Sequence, residues 1–186
     1  MQTLAHLWLP ILLSAVVVFV ASSLIHMVLK WHNSDHRALP DEESARAALR
    51  QHPPPPGQYV VPYCQDHKDM DKPDMKKKYE EGPVVFMTVF PNGAPAMGKL
   101  LGQWFLYALA VAFMAAYVAS ATLPAGAHYL RVFRVVGTVS FLTYVGGSVQ
   151  NGIWMGKPWG SVIKDLADGL IYGLLSAGVF GWLWPR

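Results

Sequence analysis

Four long apolar segments, separated by polar stretches, dominate the pattern of hydrophobic and polar positions along the chain. A hydrocarbon core about 30 Å thick needs roughly 20 helical residues to cross it. This length criterion predicts membrane-spanning helices within residues 1–30, 100–123, 131–150 and 161–185. Residues 31–99 then form one structured extramembrane loop domain. The predicted fold is an all-α integral membrane protein, a four-transmembrane-helix bundle with a single structured cytoplasmic loop.

The first apolar segment has an alternative interpretation as a secretory signal peptide. Residues 1–8 contain no Lys or Arg, whereas the leading region of a signal peptide is normally positive. The apolar part also continues past Ala21, Ser22 and Ser23, so it is long for a signal peptide. We therefore expect a retained membrane span.

Tryptophan residues lie near the ends of the apolar segments. An indole combines an apolar ring with one N–H donor and is enriched at the membrane–water boundary. The seven tryptophans are expected to form two belts, with Trp31, Trp104, Trp154 and Trp159 at the inner face and Trp8, Trp182 and Trp184 at the outer face.

The distribution of positive charge predicts the orientation of the spans. Ten of the 15 Lys and Arg residues lie in residues 30–99, and Lys30, Arg37 and Lys99 flank the spans directly. Because Lys and Arg are enriched in cytoplasmic loops, the loop domain is expected inside and both termini outside. The expected location is a bacterial inner (plasma) membrane.

Overall charge argues against a nucleic-acid partner. The formal net charge is +3, but residues 30–99 hold ten acidic residues against ten basic ones. The single cysteine, Cys64, excludes an intrachain disulfide and fits a reducing compartment. The expected partners are the lipid bilayer and either further copies of the chain or other membrane subunits.

Several short elements are predicted within the loop domain. Residues 42–50 and 73–81 have the composition of short helices, and Pro53–Pro56 predicts an extended spacer. Residues 58–61 read as a strand. Residues 84–90 fit either a second strand, which would form a small β-hairpin, or an extended piece on the membrane surface, and the strand is preferred.

Small residues recur every four positions in two of the spans, which places them on one helix face. Such stripes allow close approach of helices in lipid. Packing within one chain is preferred, and packing onto another copy or a partner is the alternative. The stripes are Ala108, Ala112, Ala116 and Ser120 in the second span and Gly169, Gly173, Ala177 and Gly181 in the fourth.

Polar residues within spans are costly to bury, so each marks a candidate site. His26, Gln150, Asn151, Lys164 and Asp168 fall near one depth and predict a polar membrane cluster. In one hypothesis Asp168 pairs with His26, either to handle a proton or to line an aqueous vestibule. In the preferred alternative Asp168 pairs with Lys164 at the (i, i+4) spacing and faces headgroups or water.

A metal site is a further hypothesis, because imidazole and thiolate are common ligands of zinc and copper. The candidate ligands are His32, Asp35, His36, Cys64 and His67. His32 and His36 would share a face only if the first helix continues past the membrane. Solvated histidines are the default interpretation, and a haem held by His6 and His128 is disfavoured because both lie at helix ends. No cofactor is expected.

No nucleophilic triad, phosphate-binding glycine loop or metalloprotease motif is present. An enzyme is therefore the less favoured interpretation. The preferred function is a non-catalytic membrane subunit that scaffolds a larger complex. The alternatives are a small oligomeric transporter or channel with an inner polar vestibule and, ranked lower, a membrane metal-binding or redox protein.

Overall fold

The computed structural model describes residues 4–185, and the chain is mostly helical. The structure separates into two units, of which the smaller is Arg37–Pro95 and the larger holds the long helices. In chain order the α-helices and strands are α1 (Trp8–Met27), α2 (Glu42–Gln51), β1 (Gly57–Val61), α3 (Pro73–Glu81), β2 (Val85–Val89), α4 (Met97–Thr122), α5 (Tyr129–Trp154) and α6 (Trp159–Leu183). The described chain also has short 3-10 segments, at Leu4–Leu7, Lys30–Asp35 and His67–Asp71.

Four helical segments of the described chain are long and apolar enough to cross a membrane, and they indicate a membrane location. They are Leu4–Met27, Met97–Thr122, Tyr129–Trp154 and Trp159–Leu183. α6 packs against α5 and α1, and α4 packs against the same two helices, so that each helix has two neighbours. α5, the third of the long apolar helices, is longer than its predicted span of 131–150. A tight turn at Gly156, where φ is +68°, connects it to α6.

Close approach of α5 and α6 depends on glycine. A Cβ added at Gly173 would lie 3.2 Å from the backbone oxygen of Gly137, and one added at Gly169 would overlap the side chain of Val145. Gly181 packs against the ring of Tyr129. In α4 the predicted small stripe is buried as well, since Ala108, Ala112, Ala116 and Ser120 are at most 8% exposed. Residues of both stripes thus contact other helices of the same chain in this structure.

Two of the seven tryptophans donate their indole N–H to protein partners. Trp104 lies two turns inside α4, and its Nε1 donates to the Ser22 Oγ at 2.7 Å. Trp184 is 7% exposed, and its Nε1 donates to the Pro124 carbonyl at 3.0 Å. Because a buried indole needs a partner for its N–H, these two partners make burial favourable. The other five tryptophans are exposed, as an interfacial position requires.

The smaller unit contains both predicted short helices and the two predicted strands, which pair with each other but are connected through α3 and not by a hairpin turn. β1 and β2 pair antiparallel, with Gly57 opposite Val89 and Val61 opposite Val85. α2 begins after Asp41, whose carboxylate accepts from the Ser44 amide at 3.0 Å. Hydrogen bonding from the Ser44 side chain, with a smaller effect from the Ser44 amide, holds the pKa of Asp41 below its usual value.

Candidate functional site

A polar cluster forms where the end of α1 meets the first half of α6. α1 contributes His26 from its last turn, and α6 contributes Lys164 and Asp168. The chain leaves the α-helical path after Met27 and forms the 3-10 segment Lys30–Asp35, which contacts both helices. This segment adds His32 and Asp35 to the cluster.

His32 lies between two carboxylates. Its Nδ1 is 2.6 Å from the Asp35 Oδ2, and its Nε2 is 3.0 Å from the Asp168 Oδ2. The Nε2 of His26 is 3.6 Å from the same Asp168 oxygen. The two imidazole rings stack with their centroids 4.5 Å apart and an interplanar angle of 8°. One carboxylate oxygen therefore faces two imidazole nitrogens.

Asp35 connects the 3-10 segment to α6. Its Oδ1 accepts from the Lys164 Nζ at 2.7 Å and from the Ser161 Oγ at 3.0 Å. Lys164 also donates to the Trp31 carbonyl at 2.6 Å. The Lys164 hydrogen bond holds the pKa of Asp35 well below its usual range, with smaller effects in the same direction from His32 and Ser161.

The preferred sequence hypothesis for Asp168 is wrong, because Lys164 pairs with Asp35 instead. The Asp168 side chain is only 7% exposed and is directed into the helix bundle, whereas Lys164 reaches the 3-10 segment. The alternative hypothesis, proximity of His26 and Asp168, describes the observed geometry. The Oδ1 of Asp168 is buried and has no hydrogen-bond partner within residues 4–185.

A cavity of about 670 Å³ begins at this cluster and extends between α1, α4, α5 and α6. His26 and Asp168 lie at its polar end. Four aromatic side chains line its wall: Trp104, Tyr107, Tyr144 and Tyr172. The centroids of neighbouring rings in this group are 5.3–6.2 Å apart. The exposed side chains of Met27 and Met97 also line it, so the cavity opens to the surface there.

Two residues of the predicted polar cluster do not join it. Gln150 and Asn151 are exposed and do not line the cavity. Because α5 continues to Trp154, both lie within the helix rather than at its end. Gln150 lies six residues after Tyr144, which places it about 120° around the helix from that lining residue.

The predicted metal ligands separate into two groups. His32 and Asp35 contact each other, but His36 is exposed and extended, because α1 ends at Met27 and the two histidines share no helix face. Cys64 and His67 belong to the smaller unit. There the Cys64 Sγ donates to the Asp66 carbonyl at 3.1 Å, and the His67 Nδ1 lies 3.4 Å from the Met70 sulfur.

The disfavoured haem ligands lie at helix ends. His6 is in the 3-10 segment that precedes α1. His128 caps α5, where its Nδ1 accepts from the Leu130 amide at 3.3 Å.

Sequence reasoning missed His32 as a partner of Asp168, and it predicted an aqueous vestibule beside His26 and Asp168 rather than a cavity with an aromatic wall. The position of His32 depends on the turn after Met27, for which the sequence carries no clear signal. The sequence did indicate one residue of the aromatic wall, Tyr172, through its helical spacing. Tyr172 follows Asp168 by four residues and Gly169 by three, so these residues share one face of α6.

The fold and the site together define a class of protein: four apolar helices that surround a cavity with an aromatic wall and a histidine–carboxylate end. Comparison with protein-family models, with curated proteins and with solved structures finds no match to this chain. We therefore infer the function from the geometry of the site.

Proposed function

We propose that this chain is an integral membrane protein that binds one small amphipathic molecule in the cavity between α1, α4, α5 and α6. The single observation that carries the proposal is the cavity of about 670 Å³ with its polar group at one end. Ligand sites in proteins have volumes of about 300–1,000 Å³ and mostly apolar walls with a few polar groups. The bias of positive charge supports an orientation with the smaller unit in the cytoplasm and both termini outside.

The polar end of the cavity favours a head group that donates hydrogen bonds. The Oδ1 of Asp168 and the hydroxyl of Tyr172 are buried without a partner in the described chain. A buried polar atom without a partner costs about 1–3 kcal/mol, which a ligand donor would recover. A hydroxyl or amine head fits this end, and an acyl chain or ring system fits the aromatic wall.

Binding is favoured over transport by the packing at the opposite end of the bundle. There Leu7, Val132 and Phe180 are fully buried in one cluster with Ala119 and Leu123. A transporter needs a second opening at that end, and this conformation fills it with side chains.

The proposal is tested by native mass spectrometry of the purified protein with monoolein, whose glycerol head carries two hydroxyl donors. We expect one monoolein per wild-type chain. Ser148→Phe places a ring at the half-buried Ser148, which lines the cavity, and should reduce the bound fraction at least about 10-fold. Thr138→Phe is the matched control, because Thr138 is exposed on the same helix and does not line the cavity.

The proposal fails if wild-type protein retains no monoolein, or if Ser148→Phe and Thr138→Phe retain it equally. Size-exclusion profiles of both variants show whether each has kept its fold. A loss caused by misfolding would appear there as aggregation.

A non-catalytic subunit of a larger membrane complex is the second candidate. It is favoured by apolar side chains that the smaller unit exposes, namely Val84, Phe86 and Phe90, which are 50–75% exposed. Copurification with other membrane polypeptides at a fixed stoichiometry, lost in a Phe86→Ser, Phe90→Ser variant, is the expected result. Purification of the chain alone after gentle detergent extraction would contradict it.

A further inference from the structure

We propose that His26, His32 and Asp168 bind a divalent first-row transition-metal ion such as Zn²⁺. One ring nitrogen of each histidine and one carboxylate oxygen of Asp168 all lie within 4.8 Å of one another. This site goes beyond the binding of an amphipathic molecule and is supported by separate observations.

The separations between ligand atoms fit such an ion. Zinc binds imidazole nitrogen and carboxylate oxygen at about 2.0–2.2 Å in tetrahedral geometry, which places neighbouring ligand atoms about 3.4 Å apart. The observed distances from the Asp168 Oδ2 are 3.0 Å to the His32 Nε2 and 3.6 Å to the His26 Nε2. Coordination would require shifts of a few tenths of an ångström and a rotation of the His26 ring, because the in-plane lone pairs of two parallel stacked rings do not converge on one ion.

The outer nitrogens of both histidines already have acceptors. The His32 Nδ1 faces the Asp35 carboxylate at 2.6 Å, and the His26 Nδ1 faces the Ser22 carbonyl oxygen at 3.0 Å. A proton on each Nδ1 satisfies these acceptors, and in the neutral form of each ring the lone pair is then on the Nε2, the nitrogen that lies near Asp168. Two imidazole nitrogens then lie close to one carboxylate oxygen, an arrangement that a bound cation stabilises.

A hydrogen bond from the outer histidine nitrogen to a carboxylate or carbonyl is the usual support of a metal-bound histidine. Asp35 acts here as a positioning residue for His32. Lys164 and Ser161 in turn hold Asp35 through its other oxygen. This support is fixed before any ion binds.

The donor set selects the class of ion. Two imidazoles and one carboxylate suit zinc, cobalt, nickel and iron(II), whereas magnesium and calcium prefer oxygen ligands alone. His26 and Asp168 both line the cavity, so the fourth ligand position faces it. A water molecule or the head group of a bound molecule would occupy that position.

The test uses full-length protein without a histidine tag, stripped with EDTA and titrated with Zn²⁺ by calorimetry. We expect one Zn²⁺ per chain. His26→Gln, His32→Gln and Asp168→Asn should each weaken binding at least about 100-fold. His36→Gln and His67→Gln are matched controls outside the cluster and should bind as the wild type does.

Two further measurements separate metal ligation from a structural effect. Co²⁺ in the wild-type protein should show the visible absorption bands of a four-coordinate ion, and these bands should disappear in His32→Gln. Asp35→Asn should retain one ion per chain with an affinity about 10–100-fold lower, because it removes only the support of His32.

The inference is overturned if the protein binds less than a tenth of an equivalent of Zn²⁺ per chain at saturation. That result would mean that a protonated histidine balances the charge of Asp168 instead. It is equally overturned if all three ligand variants bind as the wild type does. Monoolein retention in the same preparation is read separately. Monoolein binding without Zn²⁺ contradicts only this inference, and Zn²⁺ binding without monoolein contradicts only the proposed function.

Discussion

Lys164 is the residue on which the position of the 3-10 segment most depends. Its ammonium group donates to Asp35, to the Ser34 hydroxyl and to the Trp31 carbonyl, all at 2.6–2.7 Å. All three acceptors belong to the 3-10 segment, so one side chain of α6 holds the turn that carries His32. Hydrogen bonds of charged groups contribute more to stability than neutral ones.

Replacement of this side chain by Lys164→Ala should lower the free energy of unfolding by about 1–3 kcal/mol, because it leaves Asp35 short of a donor. Denaturation in mixed detergent micelles measures the change. Lys157→Ala is the matched control, since Lys157 is 35% exposed and pairs only with Asp165 in the described chain. An equal loss in both variants would contradict the role of Lys164.

Asp41 gives a prediction about pH, because its carboxylate caps α2. The Ser44 hydrogen bonds lower the pKa of Asp41 in the folded state. The cap therefore stabilises α2 fully above the ordinary aspartate pKa of about 3.9 and loses this effect as the pH falls below it. The NMR amide shift of Ser44 should move toward its unfolded value at low pH. In Asp41→Asn, which caps without titrating, it should not move.

At the scale of elements, glycine sets the distance between α5 and α6. Gly173 faces the backbone of α5, where an added Cβ would be 3.2 Å from the Gly137 oxygen. Gly147 is on α5 itself and would meet nothing within 4 Å among the described residues. The two positions therefore separate the packing role of glycine from its low helix propensity.

We predict opposite effects for the same substitution at these two positions. Gly147→Ala should stabilise the protein by about 0.5–1 kcal/mol, the usual gain in helix propensity. Gly173→Ala should destabilise it by about 1–3 kcal/mol, because backbone atoms cannot move aside cheaply. Micelle denaturation of both variants is the measurement, and a gain in stability at Gly173 would contradict the packing.

At the scale of the whole molecule, the helices were predictable and the site only in part. The four apolar helices follow from length and composition, which are local properties of the sequence. The strands β1 and β2 were predictable as well, because each is a short apolar run with turn residues beside it. The position of His32 was not predictable, because it depends on where α1 ends and on the acceptors that Lys164 finds. Likewise, Trp104 has the spacing of an interfacial residue, and only its partner Ser22 explains its burial.

The proposed orientation is testable with the single cysteine. Cys64 lies in the smaller unit, which we place in the cytoplasm. A membrane-impermeant maleimide should label it in inverted vesicles and not in intact cells. A Cys64→Ser, Ala125→Cys variant, with its cysteine in the turn between α4 and α5, should show the reverse pattern. Labelling of Cys64 in intact cells would contradict the orientation.

The central claim is that the cavity is the ligand site, and photochemical mapping tests it most directly. A monoacylglycerol with a diazirine in its acyl chain is added to the purified protein, irradiated, and located by peptide mass spectrometry. We expect crosslinks at residues that line the cavity, namely Met27, Met97 and Leu101. Ser148→Phe should suppress these crosslinks. Crosslinks spread over exposed residues outside the cavity, such as Leu142 and Trp182, and unchanged by Ser148→Phe would contradict it.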